Sequence, residues 1–427
     1  MKINHDLSSV AIRLITFLLF WAAAAADSLS GAGPAAKDAN DWPTRLKDIR
    51  RGGMTSEKLV LPLLQSWVYT TSRGPLPAWS ESPARHDNYH FYYDLKPRQN
   101  FDRCFDVAVV GDSVYFGSSS SGAVTCLNAA QGGKEAWTFF TDGPVRFAPQ
   151  AAAGKVYFGS DDGSVYCLDA ADGAVVWSER AGPSGEKFWG NERMISVWPV
   201  RTSVLVDGAD VFWTAGLFPG EGMFLCKRRA ADGSGGWTQT PVKPHQGYLL
   251  ATSQFVLAPS GKSSPTIYRR DNGSSMGDLR KSQRDGGSWA LITPDENIWS
   301  GPTVEGQAQR FKQDGKTFVA SVKDANCLVA GALGVYYNTN STIVRIDQHD
   351  HSTVWKEEHA YPNSLIVAGR HLFAGGMDQV AAFDTQTGQQ LWSAPVDGNA
   401  YGLAVAAQRL YVSTDSGSIY CFQTDSR

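Results

Sequence analysis

Several chemistries have no foothold in this chain. There is no G-x-S-x-G element, no glycine-lysine phosphate loop and no twelve-residue acidic calcium loop, and its DDG and DNG strings read as turns. Cysteine is scarce, 6 among 427 residues, with no C-x-x-C and no adjacent pair, so neither a zinc ribbon nor a dithiol redox motif is supported. Charge of one sign is also lacking: the formal net charge is −3 with no basic stripe, which excludes nucleic acid as an expected partner. Past the N-terminus no segment reaches about 18 uninterrupted apolar residues, so the mature chain is expected to have no membrane span.

The N-terminus reads differently. A weakly basic start (Lys2, Arg13), an apolar run from Leu14 to Trp21 and the small-residue site Ala24-Ala25-Ala26 predict a secretory signal over 1–26, the alternative being an uncleaved anchor. No cysteine lies near the cleavage point, so lipid anchoring is not expected. A periplasmic or secreted protein follows, with an Ala/Gly/Ser-rich flexible lead-in over 27–41 and one domain over 42–427.

What the chain has in abundance is itself. VYFGSSSSGAVTCLNAAQGGKEAW (Val114 to Trp137) is followed by VYFGSDDGSVYCLDAADGAVVW (Val156 to Trp177), and the pattern returns as LFAGGMDQVAAFDTQTGQQLW and LYVSTDSGSIYCF. A repeat of about 40 residues, holding short strand-like runs broken by Gly/Asp turns, predicts an all-β propeller of four-stranded antiparallel blades. Eight blades are expected, at 105–142, 146–180, 197–239, 248–284, 287–324, 327–358, 365–396 and 401–422; seven is the alternative if 250–325 holds one irregular blade. The last repeat lacks a Trp-bearing strand, and Leu59 to Thr70, with Trp67, can supply it and close the ring.

Within a repeat, Asp169, Gly173 and Trp177, like Asp384, Gly388 and Trp392, form an Asp-x-x-x-Gly-x-x-x-Trp element. The Gly suits a left-handed turn, the Asp can accept from turn amides, and the Trp covers the neighbouring blade while its N–H seeks a partner. Trp67, Trp137, Trp177, Trp237, Trp355 and Trp392 are therefore expected to dock blade on blade. Cys126, Cys167, Cys226 and Cys421 share one repeat position and read as core cysteines.

These residues carry a family resemblance. The repeat is similar to that of the pyrroloquinoline-quinone (PQQ) type propellers, over roughly Asp41 to the C-terminus, and DWPTRLKDIRRGG, FFTDGPVRFAP and ISVWPVRTSVLVDG resemble exported bacterial PQQ-binding-like repeat proteins. The quinoprotein dehydrogenases of this family imply PQQ, a calcium ion, an Asp base and a disulfide of adjacent cysteines. This chain lacks adjacent cysteines, and no base or calcium ligand maps onto it. Another branch implies a noncatalytic scaffold in outer-membrane protein assembly.

Candidate sites are few. His86 and His90 in a long loop, and His349 and His351 in a repeat turn, are the local groups that suit a divalent metal, with loop and turn roles as the alternative. Ligands of propellers gather where loops converge on the central channel. Arg146, Arg193, Trp198, Arg201 and Tyr401 are the candidates there, the arginines able to clamp an anionic or quinone-like ligand; inter-blade ion pairing is the alternative. Just before Trp198 an insertion, GPSGEKFWGNER, interrupts the pattern. The reading is an exported, monomeric, noncatalytic binding or scaffolding propeller, for protein partners in the cell envelope or a small ligand at the central channel. The rival reading is a PQQ-dependent oxidoreductase using PQQ and Ca²⁺.

Overall fold

The computed structural model describes residues 40–78, 101–190, 192–260, 264–279, 289–301, 303, 306–331 and 334–425. These belong to the unit Ala39–Arg427; the expected signal, most of the lead-in, His86 and His90 lie outside them. The described residues contain no α-helix, only strands and two 3₁₀ turns, Ala129–Gln131 and Pro219–Glu221.

The strands form six four-stranded antiparallel sheets in chain order, one eight-stranded sheet and a separate two-stranded hairpin. In the first sheet, Val107–Val110, Ser113–Ser118, Ala123–Asn128 and Lys134–Phe140 follow one another as a meander. Burial fades across it: Val107–Val110 is nearly all buried, whereas Lys134–Phe140 is largely exposed. An inner strand covered on both faces needs an apolar run, while an outer strand needs only one anchor, and the docking Trp is that anchor.

The eight-stranded sheet is two meanders joined by the long strand Gln390–Ala406. Its far edge is Leu63–Thr70, which pairs antiparallel with Ser418–Thr424 and sets Trp67 opposite Cys421. Trp137 opposite Cys126 and Trp177 opposite Cys167 repeat that register, each beside a bulge that re-aims the strand. The N-terminal strand thus completes the last repeat, as its Trp-bearing sequence predicts.

Seven apolar clusters bond the sheets in succession. One joins the first sheet to the second through Tyr115 and Phe158, and another joins the second to the third through Tyr157 and Trp213. The largest holds Val107 and Phe116 of the first sheet together with Tyr411 and Phe422 of the last meander. The indoles do the same work with direction. Nε1 of Trp67, Trp137, Trp177, Trp237 and Trp355 donates to a carbonyl of the next sheet, at Ala129 (3.2 Å), Ala170 (3.2 Å), Ala230 (3.0 Å), Arg270 (3.3 Å) and Thr385 (3.1 Å). Trp392 donates to Leu63 at 2.9 Å.

All six cysteines are free thiols. Cys126, Cys167, Cys226 and Cys421 are buried in the cores between sheets, where a small apolar side chain fits.

Candidate functional site

Among the described residues, two buried groups of the chain's own side chains and backbone bridge the inner strands. One is built by a segment that sequence periodicity does not reveal, Asp41 to Glu57. Trp42 exchanges backbone hydrogen bonds with Val109 of the first sheet (2.8 and 2.7 Å), and the carbonyl of Pro43 accepts from Ala151 of the second. Ile49 and Arg50 offer their carbonyls to Ala251 of the fourth sheet (3.1 Å) and Ile292 of the fifth (2.8 Å). Gly53 passes so close to Val329 of the sixth that a Cβ would fall 2.7 Å from its methyl carbon. Met54–Thr55 then pairs in parallel with Ser364–Ala368, and the Glu57 carboxylate accepts from Gln408 of the last meander.

Arg51 ties this lace to the third and fourth sheets. Its guanidinium is wholly buried and donates to the carbonyls of Leu249 (3.1 and 3.0 Å) and Arg45 (2.9 Å), to Thr44 Oγ1 (2.8 Å) and to Ser203 Oγ (3.4 Å). Burial among these neutral acceptors pulls it down to about 10. Arg45 reaches Asp106 at 3.1 Å and lies 4.7 Å over the Tyr248 ring. Burial works against that guanidinium, but Asp106 and Tyr248 outweigh it and hold it above its ordinary value. Tyr248, at the start of the fourth sheet, donates to Asp106 at 3.0 Å and accepts from the amide of Ala148 at 3.0 Å, so one phenol spans three sheets.

In the other group, Arg146 and Arg201 converge on one carboxylate. Asp161 takes Arg146 Nε at 2.7 Å and Arg201 Nε at 2.6 Å, and Asp102 takes Arg146 Nη1 at 2.7 Å. All four side chains are at most 2% exposed, so each charge depends on its partner rather than on water. Burial raises Asp102 despite Arg146, and lowers Arg201 despite Asp161; for Arg146 the two carboxylates outweigh burial and raise it. Phe101 stacks on Phe147 at 4.9 Å, and Phe147 meets Tyr248 edge-on at 5.1 Å, an apolar link between the two polar groups.

The five residues proposed from sequence thus separate. Arg146 and Arg201 meet, but through inter-sheet ion pairs instead of an open clamp. Trp198 is not at a mouth: it is buried under Gly182, where a Cβ would fall 2.6 Å from its ring, and its Nε1 donates to Glu221 at 2.7 Å. Tyr401 is half-buried, with Arg103 5.3 Å over its ring. Arg193 stands outside the buried group and donates to the Ser120 carbonyl. His349 is exposed in its turn, and His351, at φ 61°, lies 3.1 Å from Arg310 Nη1. Asp161, Asp102, Asp106, Arg45, Arg51 and Tyr248 were not anticipated; the DWPTRLKDIRRGG string was the available signal for the two lace arginines.

PQQ and calcium do not fit this interior. Among the described residues, the buried carboxylates Asp102, Asp106 and Asp161 are each committed to a guanidinium, and Asp162 to Tyr166 and two backbone amides. No group of three or more His, Cys, Asp or Glu among the described residues is placed to hold a metal ion.

Residues 79–207 and 339–426, just over half of the chain, match the family described as outer membrane protein assembly factor BamB. The chain belongs to that family. A BamB of Yersinia pestis is 25% identical over 293 residues, a match spanning 64% of this chain and 62% of that relative's length. Among solved structures, BamB from Moraxella catarrhalis superposes with a TM-score of 0.58 at 16% identity, covering 86% of this chain and 99% of that one. A europium-containing methanol dehydrogenase gives 0.64 at 13% identity, over 91% of this chain and 99% of that one. At such identities the likeness is one of fold, shared by BamB and by a methanol dehydrogenase alike.

Proposed function

We propose that this chain is an exported, noncatalytic, monomeric propeller of eight blades in one closed ring that binds protein partners in the cell envelope, in the service of outer-membrane protein assembly. The observation that carries the reading is the committed interior: the acids, guanidinium groups and phenol that could do chemistry inside the ring are spent on holding sheets together. A scaffold needs a rigid body with an informative exterior, and an interior braced by its own N-terminal lace provides the rigidity. The family and the name of the Yersinia relative support the assembly role. Six four-stranded sheets plus one eight-stranded sheet support the blade count.

Of the candidate ligand residues, Arg193 is the one we assign to partner contact, with Arg146 and Arg201 as its buried frame and Trp198 and Tyr401 as packing. In a host strain lacking the protein, outer-membrane β-barrel proteins are expected to fall in amount at unchanged transcript levels and to return on complementation. Unchanged barrel levels, together with a quinone-dependent dehydrogenase activity of the purified chain, would overturn the reading in favour of the oxidoreductase.

A further inference from the structure

The insertion between the second and third sheets folds into a hairpin of its own. Lys187–Gly190 pairs antiparallel with Arg193–Ser196 and with no sheet. Its alternation sorts the side chains by face. Ile195 is buried and Phe188 packs on Phe218 at 5.3 Å, whereas Trp189 and Met194, directly opposite each other, are 70% and 48% exposed. Glu192 at the tip takes φ 62°, a conformation that favours glycine. An exposed Trp-Met pair on a protruding ribbon contributes nothing to the core, and aromatic and Met side chains are the ones enriched where proteins meet.

The pair forms one wall of a cleft of about 400 Å³; Ser121–Gly122 and Thr141–Pro144 of the neighbouring turns form the other. That volume falls in the roughly 300–1,000 Å³ range of ligand clefts. The charges in and around it are unevenly matched. Asp142 is paired with Lys187 at 3.4 Å. Arg193 and Arg73 make no ion pair among the described residues. Both meet at Ser120, whose carbonyl accepts from Arg193 and whose hydroxyl donates to the Arg73 carbonyl at 3.3 Å, and Arg73, after burial and Arg146, lowers Arg193. Glu192 lines the cleft and Asp161 partly offsets Arg193, but neither arginine holds a carboxylate at ion-pair distance among the described residues, so both guanidinium groups are open to an incoming anion.

We infer that this cleft binds an extended segment of a protein partner in which an apolar side chain is followed by a carboxylate. The apolar group lies against Trp189 and Met194, and the carboxylate bridges to Arg193 and Arg73. The inference rests on the protein-binding reading and deepens it.

The test is fluorescence anisotropy of the mature chain with a labelled short peptide alternating Leu and Glu, against its Leu/Lys counterpart. The acidic peptide is expected to bind saturably and at least about tenfold more tightly than the basic one, with loss of about tenfold in Trp189→Ala and in Arg193→Gln. Trp189→Phe, which keeps the apolar wall, is expected to stay within about threefold of the parent. Equal binding of both peptides, no binding, or full binding by Trp189→Ala and Arg193→Gln while circular dichroism shows them folded would overturn the inference. Dependence of barrel-protein levels on the chain, measured separately, tells failure of this cleft from failure of the binding-protein reading.

Discussion

Replacing Asp161 by Asn probes the buried ion group at its hinge. The change keeps the shape and one acceptor oxygen but removes the charge that serves Arg146 at 2.7 Å and Arg201 at 2.6 Å. Arg146 retains Asp102; Arg201 loses its carboxylate in a site with no exposure. Breaking a buried pair from one side costs about 3–5 kcal/mol, because a buried charge loses the carboxylate bonded to it. With a urea m-value of about 3 kcal/mol/M or somewhat more, the unfolding midpoint should fall by roughly 1–1.5 M. Asp142→Asn, which breaks an ion pair whose acid is 83% exposed, is expected to shift stability by less than about 0.5 kcal/mol. Adding Arg201→Met to Asp161→Asn removes both members of the pair, so the double variant should be more stable than the sum of the single losses. An Asp161→Asn midpoint within about 0.3 M of the parent would refute the view that these ions depend on one another.

Gly132 and Gly133 provide a paired test of ring closure. Both take left-handed φ, 70° and 75°, but a Cβ on Gly132 meets open space, whereas one on Gly133 falls 2.6 Å from the Trp67 ring. Alanine at Gly132 should cost only the conformational penalty of about 1–2 kcal/mol, and alanine at Gly133 clearly more, as read by thermal unfolding. Arg51→Met should destabilise by about 3 kcal/mol and speed amide exchange at Ala251 and Ile292, whose acceptors are lace carbonyls, more than in the outer strand around Trp137. His245 is buried with Nε2 2.7 Å from the Tyr268 hydroxyl, and burial lowers it from 6.5 to about 4. A folded value below the unfolded one means the stability is full above about pH 6.5 and is lost as pH falls toward 4; the loss at pH 5 is about 2 kcal/mol. His245→Gln should therefore show a flatter urea midpoint between pH 7.5 and pH 5 than the parent.

The strands, the Trp anchors and the closing edge were legible because each obeys the repeat: one position and one turn recur, and one register brings Trp67 opposite Cys421 as Trp137 faces Cys126. The lace was not legible for the opposite reason. Asp41 to Glu57 visits one sheet after another, each through one or two residues and mostly through backbone groups, so it has no period to detect. Asp161 was hidden by its company, since the GSDDG string that contains it reads as a solvated turn, like the DNG string at Asp271-Asn272-Gly273. Only the ring's curvature brings it beside two arginines 15 and 40 positions away in the chain. Arg146 and Arg201 were singled out as residues leading into the inner strands, but exposure could not be read there, and exposure separates a ligand clamp from a structural brace. The Trp189–Met194 wall was foreshadowed by the break in repeat at GPSGEKFWGNER.

The central claim is that the ring interior is occupied by the chain's own lace and ion pairs. It is tested most directly by a thermal-shift titration of the purified mature chain with PQQ, with and without Ca²⁺. A ligand present at about 100 times its dissociation constant stabilises the native state by about 2.7 kcal/mol. The filled interior predicts no saturable shift under either condition. A saturable, calcium-dependent rise in melting temperature would contradict it and restore the quinoprotein reading.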